Sequence, residues 1–124
     1  MVARCYLGGN MLPYGVGPHY DPELVAQLAG QEATRAITLV ASDGCANLGL
    51  TNDDVWSILR ALSGPACRFY KSMTSDQRPD EILDVYDVWV ENTPIYLKFK
   101  IILTHDGTRQ IVVVLSFKRN EHFA

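Results

Sequence analysis

The spacing of apolar residues changes near residue 65. Upstream they recur every three or four positions; downstream they alternate or run together. Asp21 suits a helix N-cap and Pro22 the first helical position. PELVAQLA then runs to Gly30, with Leu24, Val25 and Leu28 as its apolar stripe. A second helix is written after Thr51, which can cap it, with Asp54 three residues on in the capping-box place. Val55, Ile58, Leu59 and Leu62 recur at helical spacing until Gly64-Pro65 stops them. Residues 34–50 read two ways. ITLVA has strand propensity, whereas Leu39, Ala46 and Leu48 fit a helical face that Gly44 weakens. The first 20 residues, broken by GGN, LPYG and GPHY, read as an irregular arm.

Four strand-like segments follow: CRFYKSM (67–73), LDVYDVWV (83–90), PIYLKFKI (94–101) and IVVVLSFK (111–118). A polar loop, SDQRPDE, separates the first two. Glu91-Asn92-Thr93-Pro94 makes the next turn, and His105-Asp106-Gly107-Thr108 signals a hairpin. Connections this short favour antiparallel pairing. The predicted fold is α+β, with two or three N-terminal helices over one face of an antiparallel sheet of about four strands. A chain of 124 residues supports one modest core, so a single domain is expected over 1–124: arm to 20, mainly helical 21–64, sheet 65–118.

Alternation also assigns faces. Ile95, Leu97, Phe99 and Ile101 point one way, and Tyr96, Lys98 and Lys100 the other. Lys118 shares the direction of Ser116, opposite Phe117. Lys71 lies between Tyr70 and Ser72, and Asp84 and Tyr86 share one side of their strand. Lysines and tyrosines on neighbouring strands suit a phosphate-binding, proton-transferring surface. They also suit an ordinary solvated sheet face.

Charge and cysteine usage narrow the classes. The net charge of −3 excludes a generic duplex-DNA binder, and no direct DNA binding is expected. From Tyr96 onward, however, Lys98, Lys100, Arg109, Lys118 and Arg119 face only Asp106 and Glu121, leaving a local site for nucleic acid open. IVVVL is too short to span a bilayer, no signal peptide is read, and no membrane partner is expected. Three separated cysteines, Cys5, Cys45 and Cys67, fit a reducing, cytoplasmic setting. His19, His105 and His122 lack ligand spacing, so neither metal nor cofactor is expected. Trp56 reads as core or interface, Trp89 as sheet packing or a base-stacking surface, and His105-Asp106 as turn-shaping. Cys67 reads as a buried strand cysteine, although Arg68 beside it would lower a thiol pKa.

RNA cleavage by transesterification needs a group to take the 2′-hydroxyl proton, one to protonate the departing 5′-oxygen, and a cation for the phosphorane. The four segments hold that inventory. FYKSMT at 69–74, DVY at 84–86, IYLKFKI at 95–101 and VLSFK at 114–118 resemble the successive strand motifs of the MqsR family. These are toxins of type II toxin–antitoxin modules with a RelE-like fold. The resemblance is good over 50–124 and looser upstream, where TRAITLVASDGCANLGL is similar to the family's TR…LGL stretch and favours helix over 35–48. It implies a metal-independent endoribonuclease acting on single-stranded RNA, with preference for GC-containing triplets, held in check by a cognate antitoxin protein. The family's catalytic positions fall on Lys71, Tyr96 and Lys118, with Arg68, Tyr70, Tyr86, Lys98 and Lys100 placed to contact RNA. Two positions depart. Leu83 stands where the family has a glutamine, and Asp87 follows Tyr86 where arginine-proline is usual, an acid expected to repel phosphate. A catalytically weak or silent relative, binding RNA or a protein partner, is the alternative.

Overall fold

The computed structural model describes residues 17–121; the arm read over 1–20 lies outside them as far as Val16. Along the chain run α1 (Pro22–Ala29), a 3-10 turn (Glu32–Thr34), β1 (Arg35–Ile37), α2 (Leu39–Asn47), α3 (Asn52–Arg60), β2 (Cys67–Thr74), β3 (Ile82–Val90), β4 (Thr93–Leu103) and β5 (Gln110–Arg119). The fold is α+β, and the sheet order is β1-β5-β4-β3-β2. β2 to β5 pair antiparallel, as their short connections require. β1 is a fifth strand, pairing parallel with β5 from Arg35–Val112 to Ile37–Val114.

That strand resolves the double reading of residues 34–50: of ITLVA only Ile37 is strand, and Leu39, Val40 and Ala41 open α2 on the other side of Thr38. The Thr38 amide donates to the Val114 carbonyl at 3.0 Å, ending the strand pairing. Its hydroxyl accepts from the Ala41 amide at 3.2 Å, capping α2. The helix implied by the resemblance therefore begins at Leu39, and residues 35–37 are strand. The other caps follow the sequence signals. Asp21 accepts from the Glu23 amide, and Thr51 and Asp54 form a reciprocal capping box. α3 stops at Arg60, four residues before Gly64, and Leu62 still reaches the core from the turn beyond it.

Gly44 sits inside α2 for a steric reason. A Cβ there would lie 2.1 Å from the Phe117 carbonyl oxygen, so its absence lets α2 approach the β5 backbone. The core lies between the helices and one sheet face. Val25, Ala29, Ala41, Cys45, Val55 and Leu59 meet Val88, Ile95, Leu97, Phe99, Val112, Val114 and Phe117 there. Each fully buried large apolar side chain contributes about 1.5–3 kcal/mol by leaving water. Trp56 joins this core, with the Arg35 guanidinium 5.0 Å from its ring centroid. Asp84 is fully buried at the edge of the core. It accepts from the His19 amide at 3.2 Å, the Tyr20 amide at 2.9 Å and the Ser72 hydroxyl, tying the approach to α1 onto the sheet. No helix of the described residues is long and apolar enough to cross a membrane.

Candidate functional site

The sheet face turned away from the helices collects the predicted lysines, and two irregularities decide which side chains stand on it. In β2 the register slips between Phe69 and Lys71: Phe69 pairs with Tyr86, but Lys71 pairs with Val85. A bulge adds one residue and reverses the facing of everything beyond it. Uninterrupted alternation would have sent Lys71 into the core beside Phe69; the bulge sends it to the open face. In β5, Phe99 pairs with Val114 while Lys98 pairs with Ser116, so Leu115 is the extra residue. Val112, Val114 and Phe117 all remain in the core, and Lys118 emerges on the open face.

Two cross-strand rows result. One runs Lys71, Val85, Lys98, Ser116 across β2 to β5; the other runs Arg68, Asp87, Tyr96, Lys118. With strands spaced about 4.8 Å apart, the Lys71 and Lys98 backbones are about 10 Å apart. The Lys118 ammonium stands 5.3 Å from the Tyr96 ring centroid, and the Lys71 ammonium 5.2 Å from that of Tyr70. Tyr70 is half exposed at the bulge and raises the Tyr96 pKa, second to the effect of burial on it. Lys98 is the half-buried centre of the group. Burial lowers its pKa most, then the Lys118 charge; Asp76 opposes the shift and Lys71 adds to it.

Two open pockets flank this lysine ridge. One, of about 370 Å³, has Leu83 and Leu115 as apolar walls, Lys98 and Lys100 along one side, and Gln77 and Arg78 from the β2–β3 loop. The other, of about 390 Å³, is lined by Tyr96, Lys118, Arg119, Asn120 and Glu121. Leu83, the apolar residue where the resemblance puts glutamine, is nearly buried, and it stands outside the core cluster beneath the helices.

Several predicted contacts need correcting. Tyr86 lies on the helix side, 3% exposed, stacked on Phe99 with ring centroids 5.6 Å apart, so it cannot reach RNA. Burial drives its phenol strongly toward the protonated form, and its hydroxyl has no hydrogen-bond partner among the described residues. Lys100 does point to the open face, but its ammonium is 2.8 Å from a Glu81 carboxylate oxygen, which occupies its charge. Asp87 is on the open face as a compensated anion. It accepts from Arg68 at 3.1 Å and from the Asn120 side-chain amide at 2.9 Å, and it is 3% exposed. Its predicted repulsion of phosphate is therefore damped by Arg68, which remains 65% exposed beside it. Cys67 is not activated by its arginine neighbour, since burial pushes the thiol up to about 11. Asp106 shapes the β4–β5 turn, accepting from the hydroxyls of Thr104 and Thr108. Trp89 is 40% exposed on the open side of β3.

Asn120, which follows the last strand and reaches back to Asp87, and the loop residues Gln77 and Arg78 join this face without a signal in the sequence. No local pattern marks them, because their neighbours at the site lie on other strands. The sequence matches the model of a family described as "Motility quorum-sensing regulator, toxin of MqsA" over residues 17–119. No curated protein matches it.

Proposed function

Because this chain belongs to the MqsR toxin family, whose members are the toxin halves of toxin–antitoxin pairs, we propose that its open sheet face cleaves single-stranded RNA by 2′-hydroxyl transesterification without a metal ion. The cognate partner of such a toxin is an antitoxin protein. One observation carries the proposal: Lys71, Lys98 and Lys118, from three strands, stand on one face, and the charges of the outer two act on Lys98 between them. A scissile phosphate over the ridge would be met by cations from both sides, with a pocket on each flank for the adjoining nucleotides. Lys71 and Lys118 hold the phosphate and neutralise the charge that builds on it in the transition state. The Tyr96 phenol, kept protonated by burial and by Tyr70, is a proton donor beside Lys118. Arg68 and the exposed Tyr70 are placed to steady the backbone and to stack on a base.

In this chemistry the 2′-oxygen attacks phosphorus, the bond to the 5′-oxygen breaks, and the products are a 2′,3′-cyclic phosphate and a 5′-hydroxyl. Incubation of the purified protein with single-stranded RNA in EDTA, followed by mapping of the product ends, tests this. Ends with a 5′-phosphate and free 3′-hydroxyl, or activity restored only by magnesium, would refute it. Leu83 favours a second reading, binding without cleavage, because a leucine can neither donate nor accept at that wall. RNA retained intact in the same assay would select that reading.

A further inference from the structure

We propose that Lys98 is the proton acceptor of the cleavage step, its amine taking the 2′-hydroxyl proton while Lys71 and Lys118 hold the phosphate. This rests on the ribonuclease reading above and deepens it by assigning the base.

The three lysines of the ridge differ in what surrounds them. Lys71 and Lys118 each have an aromatic ring within reach of the ammonium, Tyr70 at 5.2 Å and Tyr96 at 5.3 Å. A ring face favours the charged form. Lys98 is half-buried between the fully buried Val85 and the bulge at Leu115. Among the described residues it makes no salt bridge, unlike Lys100, whose charge is taken by Glu81. It also opens onto the 370 Å³ pocket beside Leu83, so a ribose has a way to the amine.

The charged and titratable groups around Lys98 come from every neighbouring element. β2 brings Lys71 and Tyr70, and β5 brings Lys118. β4 adds Tyr96 and the paired Lys100, and β3 adds Asp87, one row away and held by Arg68. Asp76, Arg78 and Glu81 stand in the β2–β3 loop. The lowered pKa of Lys98 agrees with this setting: partial desolvation and two cations outweigh Asp76. A lysine poised this way presents more free amine near neutral pH than an exposed one.

The step balances within the face. The O2′–H bond breaks and its proton passes to the Lys98 amine. The O2′–P bond forms, the P–O5′ bond breaks, and the 5′-oxygen takes a proton from the Tyr96 phenol. Proton return from Lys98 to the Tyr96 phenolate resets the site.

Arginine separates the base from the cation, because it keeps the charge but stays protonated across the working pH range. The full-length wild type, Lys98→Arg and Lys98→Met are compared in EDTA for cleavage of a single-stranded RNA across pH, and for binding of its 2′-O-methyl counterpart, which lacks the nucleophile. Thermal melts report folding. In parallel, ¹³C-lysine NMR titrates the ammonium groups of the wild type. Lys98→Arg is expected to bind the analogue like the wild type but to cleave about 10²-fold more slowly or worse, losing the rise of rate with pH. Lys98 is expected to titrate below an ordinary lysine. Wild-type cleavage with an unimpaired Lys98→Arg, or a Lys98 that titrates as an ordinary lysine, overturns the assignment while leaving the ribonuclease reading intact. No cleavage by the wild type overturns both.

Discussion

Lys71 and Lys118 would each point at the helices if their strands alternated without interruption; the two bulges, at Tyr70 and at Leu115, turn both outward. Their replacement by alanine is expected to lower RNA cleavage by about 10²-fold or more each, as loss of a transition-state cation does. Melting temperatures should barely move, because neither side chain packs in the core. Cleavage at the wild-type rate by either variant would remove that lysine from the chemistry. Tyr86 makes the opposite case. Its motif suggested an RNA contact, yet its ring is core and its buried hydroxyl lacks a partner. Tyr86→Phe should therefore leave cleavage unchanged and alter stability by less than about 1 kcal/mol, with gain more expected than loss, since an unsatisfied buried hydroxyl carries a desolvation cost. A loss of activity with intact folding would return Tyr86 to the site.

At the scale of elements, the contact of α2 with β5 joins the helical layer to the strand that bears Lys118. A Cβ on Gly44 would collide with the Phe117 carbonyl and come within 3.7 Å of the Lys118 Cβ. Gly44→Ala is thus expected to cost about 1–3 kcal/mol through displacement of α2, despite alanine's better helix propensity. Denaturant unfolding measures this, and a stabilised variant would show that the helix does not pack so closely. The same contact explains why the sequence was ambiguous there. A glycine inside a helix lowers its local propensity, and only the packing partner shows what the glycine is for. Elements with local signals were legible: the Asp21 and Thr51 caps, the alternation of residues 95–101 and the Gly107 turn needed nothing from the rest of the chain. β1 was not, because three residues become a strand only when β5 supplies the hydrogen-bond partners.

Over the whole molecule the net charge is −3, so any attraction for RNA has to be local to the lysine ridge. With Lys71, Lys118 and the exposed Arg68 meeting phosphates, and a single-strand slope near −0.7 per contact, log binding constant against log salt should fall with a slope of about −2. Binding of the 2′-O-methyl analogue at several salt concentrations measures it; no salt dependence would place the RNA elsewhere. Caps, periodicity and motif strings are local properties of the chain, so the α+β class, the order of helices before sheet and the family were legible in it without any long-range contact. The sequence also named the lysines and the tyrosine of the candidate site. Which of the named residues meet depends on how distant strands pair. Facing in a strand is inherited from the last register slip, and a slip is settled by pairing with another strand. The same long-range pairing buried Tyr86, matched Lys100 with Glu81 and Asp87 with Arg68, and left Lys98 between two cations, an environment built by residues far apart in the chain.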